Sequence, residues 1–437
     1  MNIILLSGGS GKRLWPLSND IRSKQFIKIF KKSDGEYASM VQRIYDQIKT
    51  VDPEAKVTIA TSKSQVSSIH NQLGHDVGIS VEPCRRDTFA AIALATAYLH
   101  DEKQVPENEA VVVCPVDPYV DFSYFECVNK LYEKAEKGDK NLVLMGIQPT
   151  YPSDKYGYIK PIKDEEGNAA YAFTEKPTEE KAKEYIEAGA LWNGGVFAYK
   201  LSYVLDKAKE LLGTSDYAEL FSDYENLRKI SFDYAVVENE KSIEVVRYEG
   251  EWKDVGTWNT LTEVMDENII GNGQVNDQCA NVHIINELGI PILGMGLKDM
   301  VISASPEGIL VSDKEQSAQI KPYVDAIDQQ IMFADKSWGT YRILDVEENS
   351  LTIKATLKPG HRMNYHSHEH RDEIWNVIQG TGKTIVDGME QPIKPGDVVT
   401  MAAGTKHTVI AGDEGLQLIE VQLGKDINVG DKKKYEL

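Results

Sequence analysis

Cysteine is scarce in this chain and lies scattered. Cys84, Cys114, Cys127 and Cys279 form no CxxC pair, which argues against a zinc ribbon or a disulfide scaffold. Reduced, buried thiols in a cytoplasmic protein are the expectation. Long apolar runs are also missing. No stretch approaches the roughly 18 apolar residues of a membrane span. The first strand-like run, Ile3–Leu6, meets glycines at once, so no signal peptide is expected. Positive charge is the third shortage. Lys and Arg number 48 against 68 Asp and Glu, a net charge of −20. A surface this acidic argues against a nucleic-acid or membrane partner, whose affinity comes from neutralising phosphates. A nucleotide stays compatible, because it needs only a local basic pocket.

What is present suffices for several folded domains. The 437 residues exceed one ordinary core, at roughly 100–200 residues per domain. Residues 1–265 alternate β-rich runs (Ile3–Leu6, Val57–Ala60, Ala110–Val113, Leu142–Met145) with amphipathic stretches such as Phe89–His100 and Ser123–Lys137. That alternation predicts an α/β, Rossmann-like domain with a mostly parallel sheet, whose ligands bind at the strands' carboxyl ends. Residues 266–330 read as a small, β-rich, β-helix-like connector, closed by a helix over Gln316–Gln330. Residues 331–437 show almost no helical period. Tyr341–Leu344, Leu351–Leu357, Ile374–Val377, Lys383–Val386, Val398–Met401 and Leu416–Val421 read as strands joined by Gly turns, the pattern of a small all-β barrel. Five of the nine histidines (His361, His366, His368, His370, His407) fall in this last part, which suggests chemistry of its own.

The first strand runs into Ser7-Gly8-Gly9-Ser10-Gly11-Lys12-Arg13-Leu14. Glycines at such a turn let backbone N–H groups approach a phosphate closely, and two cations follow. It is not a P-loop, which needs Gly where Leu6 stands, nor a G-x-G-x-x-G fingerprint from Gly9, which needs Gly at Leu14. The longer string GGSGKRLWPLSNDIRSKQF resembles the signature of sugar-nucleotide pyrophosphorylases, and more narrowly the mannose-1-phosphate guanylyltransferase family pattern GGSGTRLWPLSR followed by PKQF. Lys12 stands at its Thr, Asn19 at its Arg and Ser23 at its Pro. Further matches follow in the family's order: Glu82-Pro83-Cys84-Arg85-Arg86-Asp87-Thr88 for EPxGRNT, with Arg85 for Gly and Asp87 for Asn; Pro115-Val116-Asp117-Pro118 for PADH; Tyr156-Gly157-Tyr158-Ile159; Phe173-Thr174-Glu175-Lys176-Pro177; Trp192-Asn193-Gly194-Gly195-Val196-Phe197; and Asp254-Val255-Gly256-Thr257-Trp258.

The resemblance implies a reaction of GTP with mannose 1-phosphate to give GDP-mannose and pyrophosphate. It implies that Arg13 and Lys24 hold the triphosphate and offset charge on the α-phosphate. Gly8, Gly9, Ser10, Gly11 and Lys12 would cradle the nucleotide. Glu82, Arg86, Asp87 and Thr88 would lie near the base. Tyr156, Gly157, Glu175, Lys176 and Asn193 would bind the sugar phosphate. Asp117 and Asp254 would hold Mg²⁺, a hard ion that takes carboxylate and phosphate oxygens together.

In the C-terminal part, Gly360, His366, His368, Glu373 and Gly380 fit the first cupin motif, G(X)5HXH(X)4E(X)6G. Gly396, Gly404 and His407 fit the second, with Ala402 in place of Pro. Residues two apart share a strand face, so His366 and His368 project together, and Glu373 and His407 can meet them from neighbouring strands. Three imidazoles and a carboxylate suit one divalent transition metal: Zn, Fe, Mn, Co or Ni. The wider text TLKPGHRMNYHSHEHRDEIWNVIQGTG resembles the cupin half of bifunctional type II phosphomannose isomerase–guanylyltransferases, whose pattern is QxHxHRxEHWxVxxGxG/A. His366 replaces its Gln and Ile374 its last His. The chain ends Lys434-Tyr435-Glu436-Leu437 where that family ends with an arginine. The resemblance implies exchange of fructose 6-phosphate and mannose 6-phosphate. A sensing or assembly cupin, another sugar or nucleotide, a non-catalytic regulator and a homo-oligomer all stay open.

Overall fold

The computed structural model describes residues 1–437 apart from Ser10, Asp20, 164–168, 328–330 and Asp426. Two compact units account for them. One comprises Met1–Gly11 with Ser23–Glu267, the other Lys12–Arg22 with Asn268–Leu437.

The first unit is built on a nine-stranded mixed sheet. Strand Asn2–Ser7 lies at its centre, parallel to Lys56–Ser62 on one side and Ala110–Pro115 on the other, and Gly78–Glu82 continues the parallel run. Beyond Ala110–Pro115 the direction changes. Strand Leu191–Lys200 pairs antiparallel with it, with Leu142–Ile147 and with Tyr158–Lys163. Its register shifts between Asn193 and Phe197, at the two glycines of the WNGGVF text. Helix Asp87–Asp101 is buried nearly all round, from Phe89 through Leu99. Such a helix must be covered on both sides. It shares its core with sheet residues Ile4, Val111 and Val113 and with Leu201, Val204 and Phe232 from later segments. Each large side chain so buried contributes about 1.5–3 kcal/mol. Helix Phe122–Lys137 starts where Asp121 accepts the Ser123 N–H and stops at Gly138, whose φ of 73° is left-handed.

In the second unit, short strands Ile269–Gly271, His283–Asn286 and Met300–Ser305 stack in parallel, as do Gly273–Val275 and Ile292–Gly294. Parallel pairing of successive short strands is the geometry of coils wound on one axis, and Val282, Ile284 and Ile302 fill them. The helix expected over Gln316–Gln330 is instead a 3-10 turn, Gln316–Gln319, and a separate short helix, Lys321–Asp325. Pro322 opens that second helix, since proline suits a first turn and not a helix interior. The end of the expected helix lies outside the described residues.

Residues from Phe333 onward curl into a cupin roll of antiparallel strands. Here the reading of glycines as turns needs correction. Ile374–Val377 and Lys383–Val386 belong to one strand, Arg371–Val386, and Leu416–Val421 is part of the long strand His407–Gly424. The glycines between them are bulge and close-approach positions. A Cβ on Gly380 would lie 2.1 Å from the Gly415 carbonyl oxygen, and one on Gly382 would lie 2.2 Å from that of Ile410. Among the described residues, no helix is long and apolar enough to cross a membrane.

Candidate active site and metal centre

The first unit's glycine loop is held by a buried polar network. Ser23 donates its hydroxyl to the Gly9 carbonyl at 2.9 Å, Gln65 donates to the Ser23 hydroxyl at 2.7 Å, and Gln25 donates to that of Ser7 at 2.9 Å. Ser23, where the family pattern has proline, thus fastens the loop. Gly11 has a φ of 60°, and a Cβ there would stand 2.8 Å from the backbone nitrogen of Lys24. Only glycine lets the loop lie so close to the Lys24 turn. Ser10 lies outside the described residues.

Three charged residues meet at the carboxyl end of the sheet. Asp117 follows strand Ala110–Pro115 and precedes the short strand Pro118–Val120. That strand pairs antiparallel with Trp252–Asp254, so Asp254 stands opposite Pro118 and close to Asp117. Lys24 Nζ is 3.0 Å from Asp117 Oδ2. A Cβ on Gly256 would lie 3.1 Å from Asp254 Oδ1 and 3.7 Å from Lys24 Nζ. Two carboxylates of this kind, open to solvent and beside a cation, suit a hard divalent ion that also takes phosphate oxygens. Arg13 lies in the 3-10 turn Lys12–Leu14, and Lys12 Nζ is 3.4 Å from Asp325, both within the second unit.

The residues expected near the base form a network of their own. Glu82 accepts from the Tyr224 hydroxyl at 2.8 Å, and burial pushes its carboxyl up. Arg86 donates to the Tyr224 carbonyl at 3.3 Å, and Thr88 accepts the Phe232 N–H at 2.9 Å. Asp87 opens its helix with a φ of 68° and accepts the Thr88 N–H.

The residues expected at the sugar phosphate also converge. Gly157 leaves room for Glu175, whose Oε2 would lie 2.5 Å from a Cβ there. Glu175 pairs with Lys176 at 2.9 Å. The Asn193 N–H donates to the Gly157 carbonyl at 2.8 Å, and its side-chain amide donates to Asp233 at 2.6 Å. Tyr156 packs edge-on to Trp252 and tilted against Trp192, and its hydroxyl is pushed up by burial and then by Tyr151 and Asp254. Asp233 was invisible in the sequence, because it stands outside every matched motif. It is half-buried, and its carboxyl is pushed up to about 6, first by desolvation and then by the charge of Glu175.

In the cupin roll, His366, His368, Glu373 and His407 are all buried, with one ligand atom from each within 4.8 Å of the others. Strand His366–His368 sets His366 opposite His407. Each imidazole has its Nδ1 against a backbone carbonyl: His366 on Asn364 at 2.6 Å, His407 on Thr405 at 2.9 Å and His368 on Asp431 at 3.3 Å. A carbonyl can only accept, so Nδ1 carries the proton and Nε2 presents a lone pair. The Nε2 atoms of His368 and His407 face the Glu373 carboxylate at 2.9 and 3.1 Å. Acceptor facing acceptor in a buried site is satisfied by a cation held among them, so this donor set fits a divalent metal. Burial lowers the His366 imidazole to about 2, keeping it neutral as ligation requires. Arg371, part of the matched text but given no role from sequence, donates to Glu373 at 3.4 Å and to His368 at 3.1 Å.

Residues 2–269 match the nucleotidyl transferase family, and residues 326–436 match the mannose-6-phosphate isomerase C-terminal family. The chain belongs to the nucleotidyl transferase family. It joins that domain to a cupin-type C-terminal part. It is 28% identical to a mannose-1-phosphate guanylyltransferase of Salmonella montevideo, over 99% of this chain and 98% of that one. It is also 28% identical to a mannose-1-phosphate guanylyltransferase of Escherichia coli, over 99% and 97%. A crystal structure of a Thermus thermophilus protein described as a mannose-1-phosphate geranyltransferase superposes with a TM-score of 0.62 at 27% identity, covering 74% of this chain and 98% of that one.

Proposed function

We propose that this chain joins GTP to mannose 1-phosphate, giving GDP-mannose and pyrophosphate. The observation that carries the reading is the meeting of Lys24, Asp117 and Asp254 beyond a glycine loop, in a chain similar end to end to mannose-1-phosphate guanylyltransferases. In this reading an oxygen of mannose 1-phosphate attacks the α-phosphorus of GTP. A new P–O bond forms, the α–β bridging bond breaks, and pyrophosphate leaves with the electron pair. Charge neutralisation is the main catalytic task. Lys24 and Arg13 carry part of it, and the loop N–H groups of Gly8, Gly9 and Gly11 orient the triphosphate. Asp117 and Asp254 would hold Mg²⁺, which supplies further neutralisation of phosphate oxygens when bound. Glu175 and Asn193 orient the sugar hydroxyls, and Lys176 takes the sugar phosphate. The use of GTP favours a cytoplasmic location.

For the C-terminal part we propose isomerisation of fructose 6-phosphate and mannose 6-phosphate. The specific support is the buried cluster of His366, His368, Glu373 and His407, with one ligand atom of each within 4.8 Å of the others. His366, His368, Glu373 and His407 would hold one divalent transition metal, which polarises a substrate carbonyl when bound.

Four nucleoside triphosphates tested against several sugar 1-phosphates, scored by pyrophosphate release, check the first reading. GTP with mannose 1-phosphate is the expected best pair. Preferred use of UTP, CTP or dTTP would overturn it and direct attention to Arg85 and Asp87. Isomerase turnover in metal-loaded and metal-stripped protein checks the second. Absence of turnover in the loaded protein would favour a sensing or assembly cupin.

A further inference from the structure

We propose that Glu307 is a positioning residue for nucleotidyl transfer, acting through segment 12–22 and its Arg13. The inference rests on the reading of Arg13 given above. The chain leaves the first unit at Gly11 and re-enters it at Ser23. The segment between those points belongs to the second unit and is held within it at several places. Arg22 makes a two-pronged bond to Glu287, 2.7 Å on each side. Ser305 donates to the Pro16 carbonyl at 2.8 Å. Trp15 lies where a Cβ on Gly308 would come within 2.5 Å of its ring.

Glu307 is the node of this attachment. It sits in the turn between strands Met300–Ser305 and Gly308–Asp313. Its carboxylate accepts from the Asn19 side-chain amide at 3.2 Å, from the Met332 N–H at 3.0 Å and from the Phe333 N–H at 3.2 Å. Its own N–H donates to Ser305 Oγ, the same hydroxyl that holds Pro16. Asn19 passes the constraint on. Its Oδ1 accepts the N–H groups of Ile21 and Arg22 at 2.8 and 2.7 Å, and its N–H donates to the Arg22 carbonyl. Asn19 itself is buried, and it stands where the family pattern has arginine. That departure has a use here, since an amide, unlike a guanidinium, can donate to Glu307 while accepting from the turn.

The tie reaches Arg13 through a stiff stretch of chain. Trp15 N–H bonds to the Lys12 carbonyl, and Leu17 and Ser18 N–H bond to that of Leu14. Consecutive turns of this kind leave residues 12–18 little freedom, so movement at Pro16 or Asn19 displaces Arg13. A catalytic group misplaced by about 1 Å can cost about 10²-fold in rate. One carboxylate thereby ties the Arg13 segment to Met332 and Phe333, where strand Phe333–Lys336 begins.

The test uses the full chain with Glu307→Gln, Asn19→Asp and Arg13→Ala. Glu307→Gln removes the charge and replaces one of the two acceptor oxygens by a donor, set against the same three N–H groups. Asn19→Asp keeps the turn's acceptor but sets a carboxylate against Glu307, so a folding failure in one variant leaves the other informative. Kinetics by pyrophosphate release and amide exchange over residues 12–22 are measured together. The expected result is a kcat lowered about tenfold in both variants, with the KM for mannose 1-phosphate unchanged. Faster exchange should appear in 12–22 and not in strand Ala110–Pro115. A purely structural role would lower the melting temperature without that split. Wild-type kcat in Glu307→Gln and Asn19→Asp, beside a crippled Arg13→Ala, overturns the inference alone. A wild-type-like Arg13→Ala overturns the reading beneath it and the inference with it.

Discussion

Lys24 and Asp117 stand 3.0 Å apart, ammonium to carboxylate, at the carboxyl end of the central sheet. Partly exposed, the pair contributes little to stability, since such ion pairs are worth at most about 1 kcal/mol. In the function proposed above, its value lies in placing a cation and a carboxylate at a triphosphate. Removing such a group should therefore change turnover far more than folding. Asp117→Ala and Arg13→Ala are each expected to lower transferase turnover by at least ~10²-fold with melting temperatures near wild type. Near-normal turnover in Asp117→Ala would remove that residue from the site.

Asp233 gives a pH prediction. Its carboxyl is raised from 3.8 to about 6 in the folded chain, by burial and then by Glu175. Between those values the folded state holds the proton more readily than the unfolded state, so stability from this group falls as pH rises from about 4 to 6. Above 6 the cost of the half-buried charge is fully present. Asp233→Asn removes the cost while keeping an oxygen to accept from Asn193. The variant should gain on the order of 2 kcal/mol over wild type at pH 7.5 and match it near pH 4. Denaturant titrations at the two pH values check this. An equal difference at both pH values would show that Asp233 is not the titrating group.

In the cupin roll, His366→Ala/His368→Ala should lose its metal by elemental analysis. It should also lose the stabilisation that bound metal would give the wild type, about 2.7 kcal/mol at a hundredfold excess over Kd, read as a rise in melting temperature. Nucleotidyl transfer should persist, because the Met332 and Phe333 contacts to Glu307 do not involve the ligand set. A wild-type chain still free of metal after reconstitution would refute the centre. Metal loss that also abolished transfer would refute its independence.

Gly380 offers a test of the roll itself. Its φ of 76° is left-handed, and a side chain would run into the Gly415 carbonyl. Gly380→Ala should cost about 2 kcal/mol or more, read as a fall in denaturation midpoint. A midpoint equal to wild type would show that the two strands separate freely there.

Much of this was legible because chemistry fixes residue type at fixed spacing. The glycine loop, Asp117, Asp254 and the four clustered cupin residues each stand in a string whose order matters more than its neighbours. The parallel core was legible too, since buried strands such as Ala110–Val113 read as apolar runs. Asp233 was not, because a lone aspartate near Phe232 has no local pattern, and its meaning comes from Asn193 and Glu175 across the fold. The attachment of residues 12–22 to Glu287, Ser305 and Glu307 was hidden for the same reason. The long cupin strands were misdivided because Gly380, Gly382 and Gly415 carry the same letter whether they turn a chain or let two strands touch.

Pyrophosphate release from GTP and mannose 1-phosphate, compared between wild type, Asp117→Ala and Asp254→Ala in the presence of Mg²⁺, tests the central claim most directly. The account predicts release by the wild type, with GDP-mannose formed in equal amount, and a loss of at least ~10²-fold in each variant. Wild-type protein that releases no pyrophosphate from this pair, or variants that release it as fast as wild type, would contradict it.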